Sequence, residues 1–445
     1  MTSALVEHVD RFVAPSSAGA SGIYLAASSL ASSRAPFFQG FLKSPRRSAD
    51  LALTLARVIG TRFYTPPGML QKLLRERDPV ITCGGGLLRL EGFSACCGVY
   101  ARLDLLPTSF EAERLEAGTS NVDFNPPMRA ALARLRDGER AQLEVSATGF
   151  TLTSETSAPA FEKRVELPVR WVKGFVEVQA HQSRMEHKFE ISGAMVGRFL
   201  RDLPRRSSPG PVWLTPQGNS LRLSRAATGG GVLAGGIERL RILAEVARHA
   251  ESISVYASGD GATAWRMETA NSRLFFVLSP EPSRGFSGEG QVLVSLAEGS
   301  SVTSRVRGLM RWQRDLIPAA LAQELQTSQA EVAAALAELG TCGLVGYDLA
   351  EGAYFHRELP FDVSRISGFH PRLKDARELF ASGAVELNEA GAWVRGSGGD
   401  YHLRRTPAGE FRCTCPWASR HGTSRGPCKH ILAANIAQGN NGDDE

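Results

Sequence analysis

The chain has 445 residues, 43% hydrophobic and 22% charged, proportions of a globular protein long enough for about three domains. Mean hydropathy is −0.14, and no apolar run approaches the ~20 residues of a membrane-spanning helix, so no membrane partner is expected. The formal net charge of +5 is too dilute over the whole chain to mark a nucleic-acid binder.

Residues 1–40 read as a flexible leader, on the runs SSAGASG and ASSLASS. Glu7 and Asp10 stand where an export signal needs basic residues. Together with seven cysteines, an odd number, this predicts reduced thiols and a cytoplasmic location. Region 41–300 reads as α+β. Ser48 opens a helix with Leu51, Leu55, Val58 and Ile59 on one face, closed by Gly60 and Thr61. A turn at Thr65-Pro66-Pro67-Gly68 precedes a short helix over 69–77. LLRLEGF and GVYARLDLL then alternate as strands. Pro126-Pro127 opens a helix with Met128, Leu132 and Leu135 on one face, followed by strands AQLEVS and GFTLTS. The order recurs. Helix GAMVGRFLRDL precedes strands VWLTP and SLRLS, and helix IERLRILAEVARHA precedes SISVYAS, ATAWRMETA and SRLFFVLS. Repeated helix-plus-β-hairpin units suit helices on one face of an antiparallel sheet. In this order the region is similar to sliding-clamp domains, a resemblance of fold alone.

Residues 305–358 change character. Helices are predicted over 317–325 and 329–339, the second capped by Ser328, with a hairpin from Gly343-Leu344-Val345-Gly346-Tyr347 to Ala353-Tyr354-Phe355-His356. That is a winged-helix-like order. Its second helix carries Glu331 and Glu338 and no Lys or Arg. An acidic helix is poorly suited to a groove walled by phosphates, which favours a structural or protein-contact role. Arg305, Arg307, Arg311 and Arg314 upstream form a separate basic face. Residues 371–396 add a helix, RLKDARELFASG, and two short strands.

The informative segment is 401–437. Cys413-Thr414-Cys415 is followed, twelve residues on, by Cys428-Lys429-His430. Two close pairs of soft or borderline ligands match a tetrahedral zinc site. Pro416 helps the chain turn after the first pair. Pro427 suits the first turn of a helix holding the second, with Ile431, Leu432 and Ile436 packing it back on the strands. Free cysteines are normally buried, so three in sixteen mostly polar residues point to a metal. All four positions are filled by side chains, which predicts one structural Zn²⁺ rather than a catalytic one. His402 and His421 read as surface or loop histidines.

This C-x-C, loop, C-x-H spacing resembles the SWIM zinc finger, a module of two strands and a helix. The strand over 401–405, the turn Thr406-Pro407-Ala408-Gly409 and the Pro-Trp after Cys415 also look like that family. The resemblance covers 401–437, with 372–397 as lead-in. It implies that Cys413, Cys415, Cys428 and His430 hold the zinc in a C-terminal ββα finger over 371–437, ahead of an acidic tail at 438–445. It also implies a DNA-binding or protein-interaction role. LEGFSACCGVYARLDLLP and GTSNVDFNPP give the rest of the chain the look of bacterial proteins of this family, some of them encoded beside MoxR-type ATPases. That association implies an ATPase-containing complex as a protein partner.

Charge becomes informative at this point. Residues 401–430 hold Arg404, Arg405, Arg412, Arg420, Arg425 and Lys429 against Glu410 alone, an excess equal to that of the whole chain. Three thiolates and a zinc ion together remove one unit. Such a patch suits phosphates of DNA or RNA and equally the solvated face of a small module. The expectation is a multidomain α+β, non-enzymatic interaction protein. Its finger contacts nucleic acid or a protein, or else is purely structural while region 41–300 docks an ATPase-type partner.

Other motifs are weak. Gly229-Gly230-Gly231-Val232-Leu233-Ala234 matches G-x-G-x-x-A but does not sit directly between a strand and a helix, as a dinucleotide site requires. Cys83-Gly84-Gly85-Gly86 reads as a turn, with no phosphate-loop lysine after it. Cys96-Cys97 reads as one core thiol and one near a turn. His181 and His187 flank a polar stretch and are not expected to share a metal.

Overall fold

The computed structural model describes residues 17–19, 22–24, 35–65, 79–165, 167–206, 210, 212–218, 220–227, 229–283, 285–286, 290, 293, 297, 300–361, 371–396, 398–406, 409–422 and 426–442. The expected helix over 69–77, most of the leader, Arg425 and the last three tail residues lie outside the described residues. Within the leader, Ser17–Gly19 and Gly22–Tyr24 pair as a two-stranded ribbon. The leader boundary at 40 moves back, because Phe38–Leu42 is the second-from-edge strand of a sheet and Phe38 is fully buried.

Strands Leu87–Phe93 and Val99–Leu105 alternate apolar and charged residues, the pattern of a sheet wet on one side. Both are nevertheless buried along their whole length. They are central strands of an eight-stranded antiparallel sheet. Its order is Glu186–Ser192, Ser252–Ala257, Thr263–Thr269, Ser272–Leu278, Val99–Leu105, Leu87–Phe93, Val80–Gly84, Gly118–Asn121. A two-residue turn of type I′ needs positive φ at both central positions; Gly85 (φ 59°) and Gly86 (φ 79°) supply this between Val80–Gly84 and its neighbour. The predicted turn is therefore present. Helix Pro45–Ile59 covers the sheet, with Leu51, Leu55, Val58 and Ile59 at 0–1% exposure. It starts three residues before Ser48 because Pro45 fits the first helical turn, where its missing N–H costs nothing.

A second sheet has five antiparallel strands in the order Ala160–Lys163, Gly149–Ser154, Ala141–Ser146, Phe38–Leu42, Phe110–Leu115. Helix Pro126–Arg134 packs beside it, with the Asn125 side chain accepting the Met128 N–H at 3.0 Å as N-cap. A third sheet joins Ser220–Ser224, Val212–Gln217 and Val232–Ala234. The glycines at 229–230 form a turn and Val232–Ala234 is a strand, so the G-x-G-x-x-A match carries no dinucleotide loop.

Two elements differ from the sequence reading. Helix Val169–Gln182 was not predicted: its four valines favour a strand, and Gly174 disfavours a helix interior. Tertiary packing overrides that propensity. Phe93 meets Trp171 and Phe175 edge-on at 5.9 and 5.0 Å, and a Cβ on Gly174 would lie 2.9 Å from the Phe93 ring. Residues 237–249 wind as 3₁₀ turns, Ile237–Glu245 and Ala247–His249, rather than an α-helix. Buried Arg239 anchors them, donating to the carbonyls of Gly235, Gly236, Gly98 and Ser279.

After the body come helices Thr303–Gly308, Pro318–Leu325 and Gln329–Thr341 and the hairpin Val345–Asp348 with Ala353–His356. Ser328 caps the third helix, accepting the Glu331 N–H at 3.1 Å. The hairpin lies on the charged face of the central sheet, which explains why that face is dry. Asp348 bridges Arg89 (2.9 Å) and Arg102 (3.0 Å), and Arg102 also pairs with Asp104 (3.0 Å). Arg357 pairs with Glu91, which accepts the Tyr100 hydroxyl at 2.7 Å. The Arg89 guanidinium stacks 4.0 Å from the Phe355 ring. Three cations and three anions balance, all with side chains at most 2% exposed.

The C-terminal part is a four-stranded antiparallel sheet, Val385–Asn388, Gly391–Gly396, Gly399–Arg405, Phe411–Cys413. Helices Pro371–Ala381 and Lys429–Gly442 share a core of Leu373, Ala376, Leu432 and Ala433. Ala392, Val394, Leu403, Phe411 and Ala434 form the core between sheet and helix. No helix among the described residues is long and apolar enough to cross a membrane.

Candidate metal centre

Cys413 ends the edge strand of the finger sheet, opposite Leu403. The chain then turns at Pro416, as expected, into helix Pro416–His421. Cys415 caps that helix, its sulfur accepting the Ala418 N–H at 3.4 Å, while the Cys415 N–H reaches the Cys413 sulfur at 3.4 Å. Cys428 immediately precedes helix Lys429–Gly442, its carbonyl accepting the Leu432 N–H at 3.1 Å. His430 lies in the first turn. The helix thus starts two residues after Pro427, which the sequence reading placed in its first turn.

The four ligand atoms lie within 4.8 Å of one another. The His430 Nδ1 stands 3.8 Å from the Cys413 sulfur and 4.0 Å from the Cys428 sulfur. A tetrahedron with Zn–S of about 2.3 Å and Zn–N of about 2.1 Å has edges of about 3.6–3.8 Å, so the donor set fits zinc in kind and in spacing. His430 is 5% exposed and clamped by Tyr401, whose ring stacks on it at 4.2 Å. Gly396 leaves room for this stack: a Cβ there would lie 3.2 Å from both His430 and Tyr401. Without a cation the sulfurs compete for protons. Cys428 donates to Cys413, which pushes the Cys428 thiol up to about 12, with burial adding to the effect, and lowers that of Cys413. A divalent cation reverses this by deprotonating the thiols that coordinate it.

Among the described residues this is the one cluster of three or more His, Cys, Asp or Glu with metal-binding spacing. His421 packs on Trp417 (4.5 Å) and His402 on Trp393 (4.7 Å), both outside the cluster. His181 faces Asp260 at 3.3 Å and His187 packs on Tyr256, so the two do not meet. Cys97 is buried at φ 53° and Cys96 half-buried, as a core thiol beside a turn thiol.

The basic residues do not form one face. Arg404 and Arg412 stand directly opposite each other on adjacent strands, both exposed. Arg405 falls on the other face, over the Phe411 ring at 4.8 Å. Lys429 pairs with Asp375 at 3.5 Å. Arg420 is exposed on the short helix after Cys415. Arg372, not singled out in the sequence, holds the cysteine loops together: it lies 4.4 Å from the Trp417 ring and donates to the Pro427 carbonyl at 2.8 Å.

Residues 411–439 match the family model of the SWIM zinc finger, a stretch containing all four ligands. No curated protein matches the chain. Among solved structures, proliferating cellular nuclear antigen from Entamoeba histolytica is similar over 55% of this chain and 98% of its own, at 12% identity and a TM-score of 0.40. A SWIM zinc finger suited to one structural zinc ion lies at the C-terminus.

Proposed function

We propose that this is a non-enzymatic interaction protein whose zinc-organised finger contacts nucleic acid. The observation that carries the reading is the Arg404–Arg412 pair. Like charges directly opposite each other on a sheet are destabilising, and neither arginine meets a carboxylate within ion-pair distance among the described residues. A cation pair held on an exposed face without compensation is a site for phosphates. The zinc would brace this face: Cys413 follows Arg412 directly, so the metal fixes the edge strand that presents it. Its four protein ligands leave no open position for catalysis.

The module at 303–356 supports the winged-helix-like reading by its order of helices and hairpin, and we assign it a structural role. Its acidic third helix lies against helix Val169–Gln182, where Gly340 makes room for the Gln179 amide. Glu338 accepts the Thr303 hydroxyl at 2.6 Å, within the module itself. A second reading keeps the finger purely structural and lets the N-terminal α+β region dock an ATPase-type protein. The observation favouring it is that Arg405 and Lys429 are engaged inside the finger.

The test is binding of labelled oligonucleotides by zinc-loaded protein across a salt series. Replacing Arg404 and Arg412 together by alanine removes two phosphate contacts. It is expected to reduce the slope of log K against log salt by about 1.4 to 1.8. An unchanged slope, or no binding at low salt, refutes the reading.

A further inference from the structure

The outer face of the finger sheet is organised around an aromatic residue. Trp393 is 47% exposed, the one exposed tryptophan among the described residues. It lies on strand Gly391–Gly396, opposite His402 on one side and Glu386 on the other. The indole and imidazole rings are 4.7 Å apart and tilted by 39°. One step along the same face, Arg404 stands opposite Arg412. That step of two residues is about 6.8 Å. On the side of Trp393 away from these arginines, Arg395 has Asp400 as its register partner and pairs with Glu386, the neighbour of the ring, at 3.0 Å. The face is therefore graded, from one ion pair and the Asp400 carboxylate through two rings to a pair of cations with no carboxylate partner among the described residues.

We propose that this face binds single-stranded nucleic acid, with a base stacked on Trp393 and His402 and the adjoining phosphates on Arg404 and Arg412. The proposal rests on the nucleic-acid reading above and adds the strand state of the ligand. Bases in a duplex already stack on both sides and offer no free face; unpaired bases offer one to an aromatic ring. The geometry also argues against duplex. Four strands at about 4.8 Å spacing span about 14 Å before side chains are added, wider than the ~12 Å major groove. Stacking reads no particular base, so the site takes single strands with little sequence preference. A protein partner is disfavoured because the face places its exposed ring beside two arginines that have no carboxylate partner among the described residues, rather than within an apolar patch.

The experiment uses the full zinc-loaded chain and fluorescence anisotropy with labelled oligo-dT, oligo-U and a duplex of equal length, at matched salt. Both single strands are expected to bind tighter than the duplex, and any gap between them separates DNA from RNA preference. Trp393→Ala is expected to weaken single-strand binding about ten- to a hundredfold while leaving the salt slope near that of the unaltered protein. Trp393→Phe keeps most of the affinity. Arg404→Ala lowers affinity and slope together. Zinc content establishes that each variant retains its finger. In the unaltered protein, oligo-dT should also shield the exposed indole from quenching by acrylamide. Duplex bound as tightly as single strands, or Trp393→Ala without effect on an intact finger, overturns the stacking site while Arg404→Ala still tests the broader reading. No binding of any nucleic acid overturns both.

Discussion

Asp348 is the point at which the body sheet and the hairpin of the following module are joined, and Asp348→Asn tests how firmly. The change keeps the shape of the side chain and one acceptor oxygen, so no cavity enters the result. It leaves three buried cations facing two anions. Asp348 meets Arg89 at 2.9 Å and Arg102 at 3.0 Å, and all three side chains are at most 2% exposed. Removing one member of a buried, hydrogen-bonded charge group costs about 3–5 kcal/mol, because the remaining charge is stranded away from water. The matched control is Glu351→Gln in the turn of the same hairpin. Glu351 pairs with Arg273 at 2.9 Å, but the side chains are 30% and 24% exposed, and exposed pairs contribute about 0–1 kcal/mol. Urea unfolding followed by circular dichroism gives both values. A loss below about 1 kcal/mol for Asp348→Asn, equal to the control, would mean that the network is not what joins the two parts.

Two further outcomes follow from the same chemistry. Burial alone would raise the Asp348 carboxyl, but the Arg102 and Arg89 guanidiniums outweigh it and hold the carboxyl well below its ordinary range. Its contribution is complete above the unfolded value of about 3.9 and drains away as pH falls towards the lower folded value. The stability gap between the unaltered protein and Asp348→Asn should therefore narrow below about pH 4; urea midpoints at neutral and acid pH measure it, and a constant gap contradicts the assignment. At the finger, metal analysis should find one zinc per chain. Cys413→Ser and His430→Ala should each release it and open the C-terminal module to protease, since structural zinc supplies on the order of 10 kcal/mol to such modules. Absence of stoichiometric zinc from the purified protein would refute the site.

The zinc ligands were legible in the sequence because their spacing is itself the geometry: two short-range pairs need only one turn and one helix start to converge. The helix face of 45–59 was legible through its period. Helix Val169–Gln182 was not, because its valines and glycine are set by what they pack against, Phe93 above all, and local propensity points the other way. The charged residues of Leu87–Phe93 and Val99–Leu105 read as a wet face; nothing local announces that a hairpin more than 240 residues later brings Asp348 to them. The six basic residues of 401–430 read as one patch because counting ignores the two-residue period of a strand. Applied to Leu403-Arg404-Arg405, that period separates Arg404 from Arg405, and applied to Ala392-Trp393-Val394 it turns Trp393 outward. Both were available from the alternation alone.

The edge position of Phe411–Cys413 sets the limits of a transplantable unit. Its one sheet neighbour is Gly399–Arg405, which in turn depends on Gly391–Gly396. A fragment cut at residue 411 would keep every metal ligand and lose the template that aligns the first two, together with Tyr401 over the histidine. With helix Pro371–Ala381 packed on Lys429–Gly442, a piece to move into another protein must reach back at least to Pro371, forty residues before the stretch that the family model recognises.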